Sequence, residues 1–87
     1  MPQNCFKVQD VFVLIGVGCV PVGEVISGTI SVGMKTKINN KEATVEFIEQ
    51  KHKRLYQATE GMNIGLKLSG SGISKEDIKR GDVLYFE

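Results

Sequence analysis

Along this chain apolar and polar positions alternate with a period of two, and helical periodicity is almost absent. Residues 10–15 (DVFVLI) form a β-branched, aromatic and aliphatic run closed by Gly16 and Gly18, which predicts a first strand. Residues 19–30 (CVPVGEVISGTI) predict a longer strand. Pro21 and Gly23 inside it place the strand at an edge or at a corner, and Ser27-Gly28 marks a second kink. A turn at residues 31–33 leads to a short strand at 35–39, and Asn39-Asn40 signals a hairpin because Asn tolerates positive φ.

Residues 42–49 (EATVEFIE) then alternate, putting Ala43, Val45 and Phe47 on one face. A weaker strand follows at 55–59, a turn at 60–62 and another strand at 63–69. Gly70-Ser71-Gly72 predicts a flexible link, and Ser74 with Asp77 predicts one helical turn near residues 75–79. Residues 81–86 close the chain as a last strand. About six or seven short strands with glycine corners specify an all-β fold, a small closed Greek-key barrel, because closure removes exposed sheet edges.

The first strand breaks the one-face rule. Val11, Val13 and Ile15 point one way and Phe12 and Leu14 the other, so both faces are apolar although a small barrel has one interior. Either the segment Phe6-Lys7-Val8 folds over the second face, or a neighbouring subunit or ligand covers it.

A chain of 87 residues supports one core, so residues 1–87 are read as a single domain. The apolar share of 41% excludes disorder, and no apolar run approaches the roughly 20 residues that cross a bilayer. The N-terminus lacks a signal-peptide layout, which places the expected location in the cytoplasm, away from membranes. Cys5 and Cys19 stand alone, without a C-x-x-C pair, and His52 is the one histidine. A zinc site is thereby excluded, and both cysteines are expected as reduced core residues. Net charge is +1, so any affinity for nucleic acid is local. The local excess lies at residues 35–54, where six basic residues face three acidic ones, densest at Lys51-His52-Lys53-Arg54.

Residues 28–36 (GTISVGMKT) come within one residue of the phosphate-binding pattern G-x-x-x-x-G-K-[ST]. Met34 separates Gly33 from Lys35, and a strand follows where a phosphate loop opens a helix; no nucleotide site of its own is expected, and no cofactor. Lone His52 and the lack of a nucleophile elbow argue against an enzyme.

The residues Asp10-Val-Phe12, the run 16–23 (GVGCVPVG), 25–28 (VISG), Val32-Gly33, Val45, Glu49-x-x-His52, 61–65 (GMNIG) and 78–84 (IKRGDVL) together resemble the second domain of translational GTPases of the elongation factor Tu type. In wording they are most like its archaeal and eukaryotic forms, and the likeness runs over about residues 6–86. The resemblance implies a Greek-key barrel that follows a GTP-binding domain, helps to hold the acceptor end of aminoacyl-tRNA and touches the small ribosomal subunit. It implies a contact surface at Asp10, Phe12 and Leu14, at Val20, and at Glu49 and His52. Two positions depart from the family pattern: Glu24 stands where a basic residue commonly follows the glycine, and Lys67 where an aliphatic residue commonly lines the base pocket.

The resulting expectation is a non-enzymatic module that docks on tRNA, rRNA or the ribosome. Phe12 and Leu14 give apolar contact, Glu49 and His52 polar contact to a ribose or base, and Lys51, Lys53 and Arg54 neutralise phosphate, while Asp10, Val20 and Lys67 complete the expected surface. The alternative is a protein-interaction domain that pairs with a translation factor, another chain or itself through the apolar strand.

Overall fold

The computed structural model describes residues 3–70 and 72–87. Ser71, within the expected flexible link, lies outside the described residues. Within the described residues nine strands run as β1 (Asn4–Leu14), β2 (Gly18–Ser27), β3 (Thr29–Ser31), β4 (Lys35–Ile38), β5 (Lys41–Gln50), β6 (Lys53–Leu55), β7 (Gln57–Thr59), β8 (Asn63–Ser69) and β9 (Val83–Phe86). One 3-10 turn, Lys75–Asp77, precedes β9. The main sheet has the order β4-β5-β8-β2-β1-β9, with β6 beside β5, and all its pairings are antiparallel. It curls until its ends meet: Lys35 N–H donates to the Glu87 carbonyl at 2.8 Å and Glu87 N–H to the Lys35 carbonyl at 2.9 Å. The expected small β-barrel is the fold.

Alternation along each strand fills this barrel. Phe6, Val8, Val25, Ile48, Ile64 and Leu66 are buried at its centre. The separate ribbon of β3 and β7 adds Ile30 and Ala58 to the same core.

Four details differ from the sequence reading. First, β1 starts at Asn4, and Phe6 and Val8 are core residues of the strand itself, so Phe6-Lys7-Val8 covers no second face. The short alternation of residues 4–8 is masked in the sequence by the continuous apolar run that follows. Second, the strand expected over 19–30 divides at Gly28, whose φ of +71° ends β2 and turns the chain into β3. Third, the strand expected over 55–59 divides around Tyr56, since β6 pairs with β5 and β7 with β3. Fourth, β5 carries a bulge between Val45 and Phe47. One extra residue, Glu46, reverses the alternation, so Ile48 enters the core and Phe47 turns outward, against the expected common face of Ala43, Val45 and Phe47.

Asp77 clamps the 3-10 turn to the β4–β5 hairpin. It accepts from Asn39 Nδ2 at 3.0 Å, from Ser74 N–H at 2.9 Å and from Lys41 Nζ at 3.0 Å. These donors, the Asn39 amide foremost, hold its carboxyl well below the ordinary carboxylate range. A depressed folded pKa adds stability that is present above the unfolded value and is lost as pH falls toward the folded one. The urea midpoint is therefore expected to fall as pH drops below about 4, and Asp77→Asn to flatten that dependence. An unchanged acid slope in Asp77→Asn would refute the clamp.

Candidate nucleic-acid interface

A second bulge builds the site. Val8 pairs with Gly23 and Asp10 with Val22, so Gln9 is extra, and beyond it Asp10–Leu14 leaves the closed wall as an arm paired with Gly18–Val22. On one face of the arm Phe12 and Leu14 are half exposed; on the other Val13 is 58% exposed, and Ile15, in the turn that follows, is fully so. Beyond Val11, which packs in the core, both sides of the arm keep apolar residues exposed among the described residues.

Register then aligns distant residues across the sheet. Asp10 pairs with Val22, Val22 with Gly65, Gly65 with Glu49 and Glu49 with Arg54, one row across five strands. At about 4.8 Å per strand the row spans about 19 Å. Along it lies a groove of about 500 Å³. Phe12, Leu14, Val20 and Val22 line its β1–β2 flank, Gly65 and Ile64 its floor, and Glu49, Gln50, Lys51, His52 and Asn63 its polar side. A Cβ on Gly65 would meet Val20 Cγ1 at 3.5 Å, an ordinary contact, so the missing side chain leaves depth that the backbone does not require.

The polar side is held by a tight turn. Gln50 pairs with Lys53, and Lys51 and His52 between them have φ of +50° and +66°, the signature of a type I′ turn. Asn39 and Asn40 make the equivalent turn between β4 and β5. In the first case the residues are not those the turn favours, and such backbone cost concentrates at functional positions. Gln50 Nε2 donates to the Asn63 carbonyl at 3.1 Å, tying the turn to β8. Glu49 has no basic group within ion-pair distance among the described residues, and its carboxylate is open to a ligand.

Six of the ten residues expected at the site, Phe12, Leu14, Val20, Glu49, Lys51 and His52, meet around this groove. The other four do not line it. Asp10 accepts the Val11 N–H at 2.8 Å and faces Arg80 at 4.0 Å. Lys53 and Arg54 are exposed on β6, outside the groove lining. Lys67 bends toward Glu46 at 4.0 Å and donates to the Leu68 carbonyl. Val22, Gln50, Asn63, Ile64 and Gly65 are lining residues that the sequence reading passed over. The parity of β8 was the available signal: with Leu66 and Leu68 inward, Asn63 and Gly65 must face the Glu49 side.

A larger groove of about 640 Å³ lies at the β4–β9 seam, where Lys35 and Lys37 are offset by Glu42 and Glu87. Its balanced charge gives it no pull on a polyanion. Among the described residues no group of His, Cys, Asp and Glu could hold a metal ion. Cys5 and Cys19 are buried free thiols, and burial pushes the Cys19 thiol up. The glycine-rich run that approached a phosphate loop leads from Gly33 into strand β4, without the helix such a loop needs.

The chain matches the elongation factor Tu domain 2 family over residues 18–85. It is 44% identical over 78 residues to elongation factor 1-alpha of Methanoculleus marisnigri, and the match covers 87% of this chain and 18% of that protein. With elongation factor 1-alpha of Pyrobaculum islandicum the identity is 47% over 79 residues, 88% of this chain and 17% of the relative. The chain thus spans less than a fifth of the length of these relatives. Among solved structures, apo translation elongation factor SelB from Methanococcus maripaludis superposes with a TM-score of 0.83 at 24% identity, over 95% of this chain and 18% of that one. The last likeness is one of fold.

Proposed function

Because this chain belongs to the elongation factor Tu domain 2 family, we propose that it is a non-enzymatic binding module of the cytoplasmic translation machinery whose groove seats a nucleotide of single-stranded RNA. The observation that carries this reading is the meeting of an apolar wall, an unpaired carboxylate and a basic turn around one groove. Phe12, Leu14 and Val20 offer the surface on which a base stacks. Glu49 accepts from a ribose 2′-hydroxyl, the group that separates RNA from DNA. Lys51 meets phosphate, and Lys53 and Arg54 on the same hairpin add to the positive field without lining the groove.

Replacing Lys51, Lys53 and Arg54 together by Ala is expected to weaken binding of tRNA and rRNA fragments. The slope of log affinity against log salt should become shallower, by roughly 0.7 for each phosphate that is no longer neutralised. Unchanged affinity would refute the basic side of the site. Gly65→Leu should fill the floor and reduce binding at every salt concentration, whereas Gly65→Ala keeps the fold. A second reading rests on the uncovered Val13 and Ile15 of the arm, which suit a protein partner docking behind the groove. That contact would be insensitive to salt, and Val13→Ser with Ile15→Ser would abolish it while RNA binding persists.

A further inference from the structure

The bulge at Glu46 has turned Phe47 out of the core, and Arg54 lies over its ring with the guanidinium carbon 3.9 Å from the centroid. An aromatic ring beneath a guanidinium fixes a flexible side chain in one plane and leaves its other face to solvent. Arg54 is exposed in spite of this stacking. Among the described residues no carboxylate lies within 4.0 Å of it, although Glu49 sits directly across the strand pair. Its N–H groups make no hydrogen bond among the described residues either. Where Lys41, Lys67 and Arg80 each find a carboxylate, Arg54 is held by a ring and keeps its donors free.

This shelf adjoins the groove. Phe47 lies two residues from Glu49 on the outward face of β5, and Arg54 occupies the same cross-strand row as Glu49 and Gly65. Neighbouring rows and strands set a spacing of about 5–7 Å, the separation of successive nucleotides in an extended single strand. We propose that Phe47 and Arg54 form a second nucleotide seat, in which a base stacks on the free face of the Arg54 guanidinium next to the nucleotide held in the groove. The inference rests on the groove reading above and deepens it: the ligand is a single-stranded RNA segment of at least two nucleotides.

Amide chemical shifts, followed by NMR during titration, separate the two claims. Adenosine 5′-monophosphate should shift Gly65 and Asn63, whereas the dinucleotide ApA should shift Phe47 and Arg54 as well and bind at least about fivefold more tightly. Arg54→Lys keeps the charge and removes the plane, so it should erase the gain for ApA and leave the mononucleotide unaffected. Two dinucleotides lacking one base, the 5′ or the 3′, test stacking against phosphate contact. At least one should bind no better than the mononucleotide. Wild-type affinity of Arg54→Lys for ApA, or equal affinity for ApA and the mononucleotide, overturns the second seat while the groove reading stands. A full gain from both dinucleotides lacking a base overturns stacking. Absence of shifts at Gly65 and Asn63 with either probe overturns the groove reading, and the second seat with it.

Discussion

Gly23→Ala is expected to cost about 3 kcal/mol of folding stability, a large part of the total for a domain of this size. Gly23 sits in β2 opposite Val8, where the β1 bulge brings the two strands together. A Cβ there would run into the Lys7 carbonyl oxygen and approach Phe6 Cζ to 3.1 Å. The first obstacle is backbone and cannot rotate away, so the strands must part at the point where the barrel wall gives rise to the arm. Phe6, fully buried beneath this glycine, would lose packing at the same time. Shortening Phe6 to Leu removes only the second obstacle; the double variant should therefore remain at least as unstable as Gly23→Ala. Urea unfolding decides the matter, with Gly65→Ala as the comparison. In that variant the new methyl meets only ordinary contacts, and stability should stay within about 1 kcal/mol of the parent. Equal midpoints for the two glycine variants would refute the close-approach argument.

Replacing Lys51-His52 by Asn-Gly should have the opposite effect on stability, a gain of about 1–2 kcal/mol. Both residues hold positive φ, which costs a side chain with a Cβ and suits Asn and Gly. The exchange preserves the hairpin register of Gln50 with Lys53 while deleting the two polar groups that the turn presents to the groove. A higher urea midpoint with an unchanged denaturant slope, together with weaker RNA binding, is the expected pair of results. Improved stability with full RNA affinity would show that the turn serves only the hairpin.

Much of the fold could be read from alternation alone. Ala43 and Val45, or Leu66 and Leu68, declare the inward face by spacing two apart. Asn39-Asn40 declares its turn by chemistry, since both residues accept positive φ. The bulges at Gln9 and Glu46 could not be read, because a register slip leaves no local mark: both are ordinary polar residues whose extra place exists only relative to the partner strand. Phe47 was misplaced for that reason, and the Phe47–Arg54 stack was hidden with it. The Lys51-His52 turn was hidden for a different reason, since its residues are not those that favour its backbone. In the candidate site, Phe12 and Leu14 were marked by the doubly apolar strand as well as by the family resemblance, Val20 and Glu49 came from the resemblance, and Lys51 and His52 lay in the densest basic run. Gly65 and Asn63 belong to the groove through β8 register, which links residues distant in sequence.

The paired hydrogen bonds between Lys35 and Glu87 bear on how the chain reaches this structure. β1 meets β9 through Asn4 and Phe86, and β4 meets the residue that follows β9. Both closing contacts therefore join the earlier part of the chain to its last residues, and neither can form until those residues have been synthesised. Contacts so distant in sequence carry a high loop-closure entropy and slow the crossing of the folding barrier. Until those contacts form, the edges of β1 and β4 are unpaired and open to other strands. Aggregation during expression should therefore track any change that delays β9, well before the stability of the finished barrel is affected.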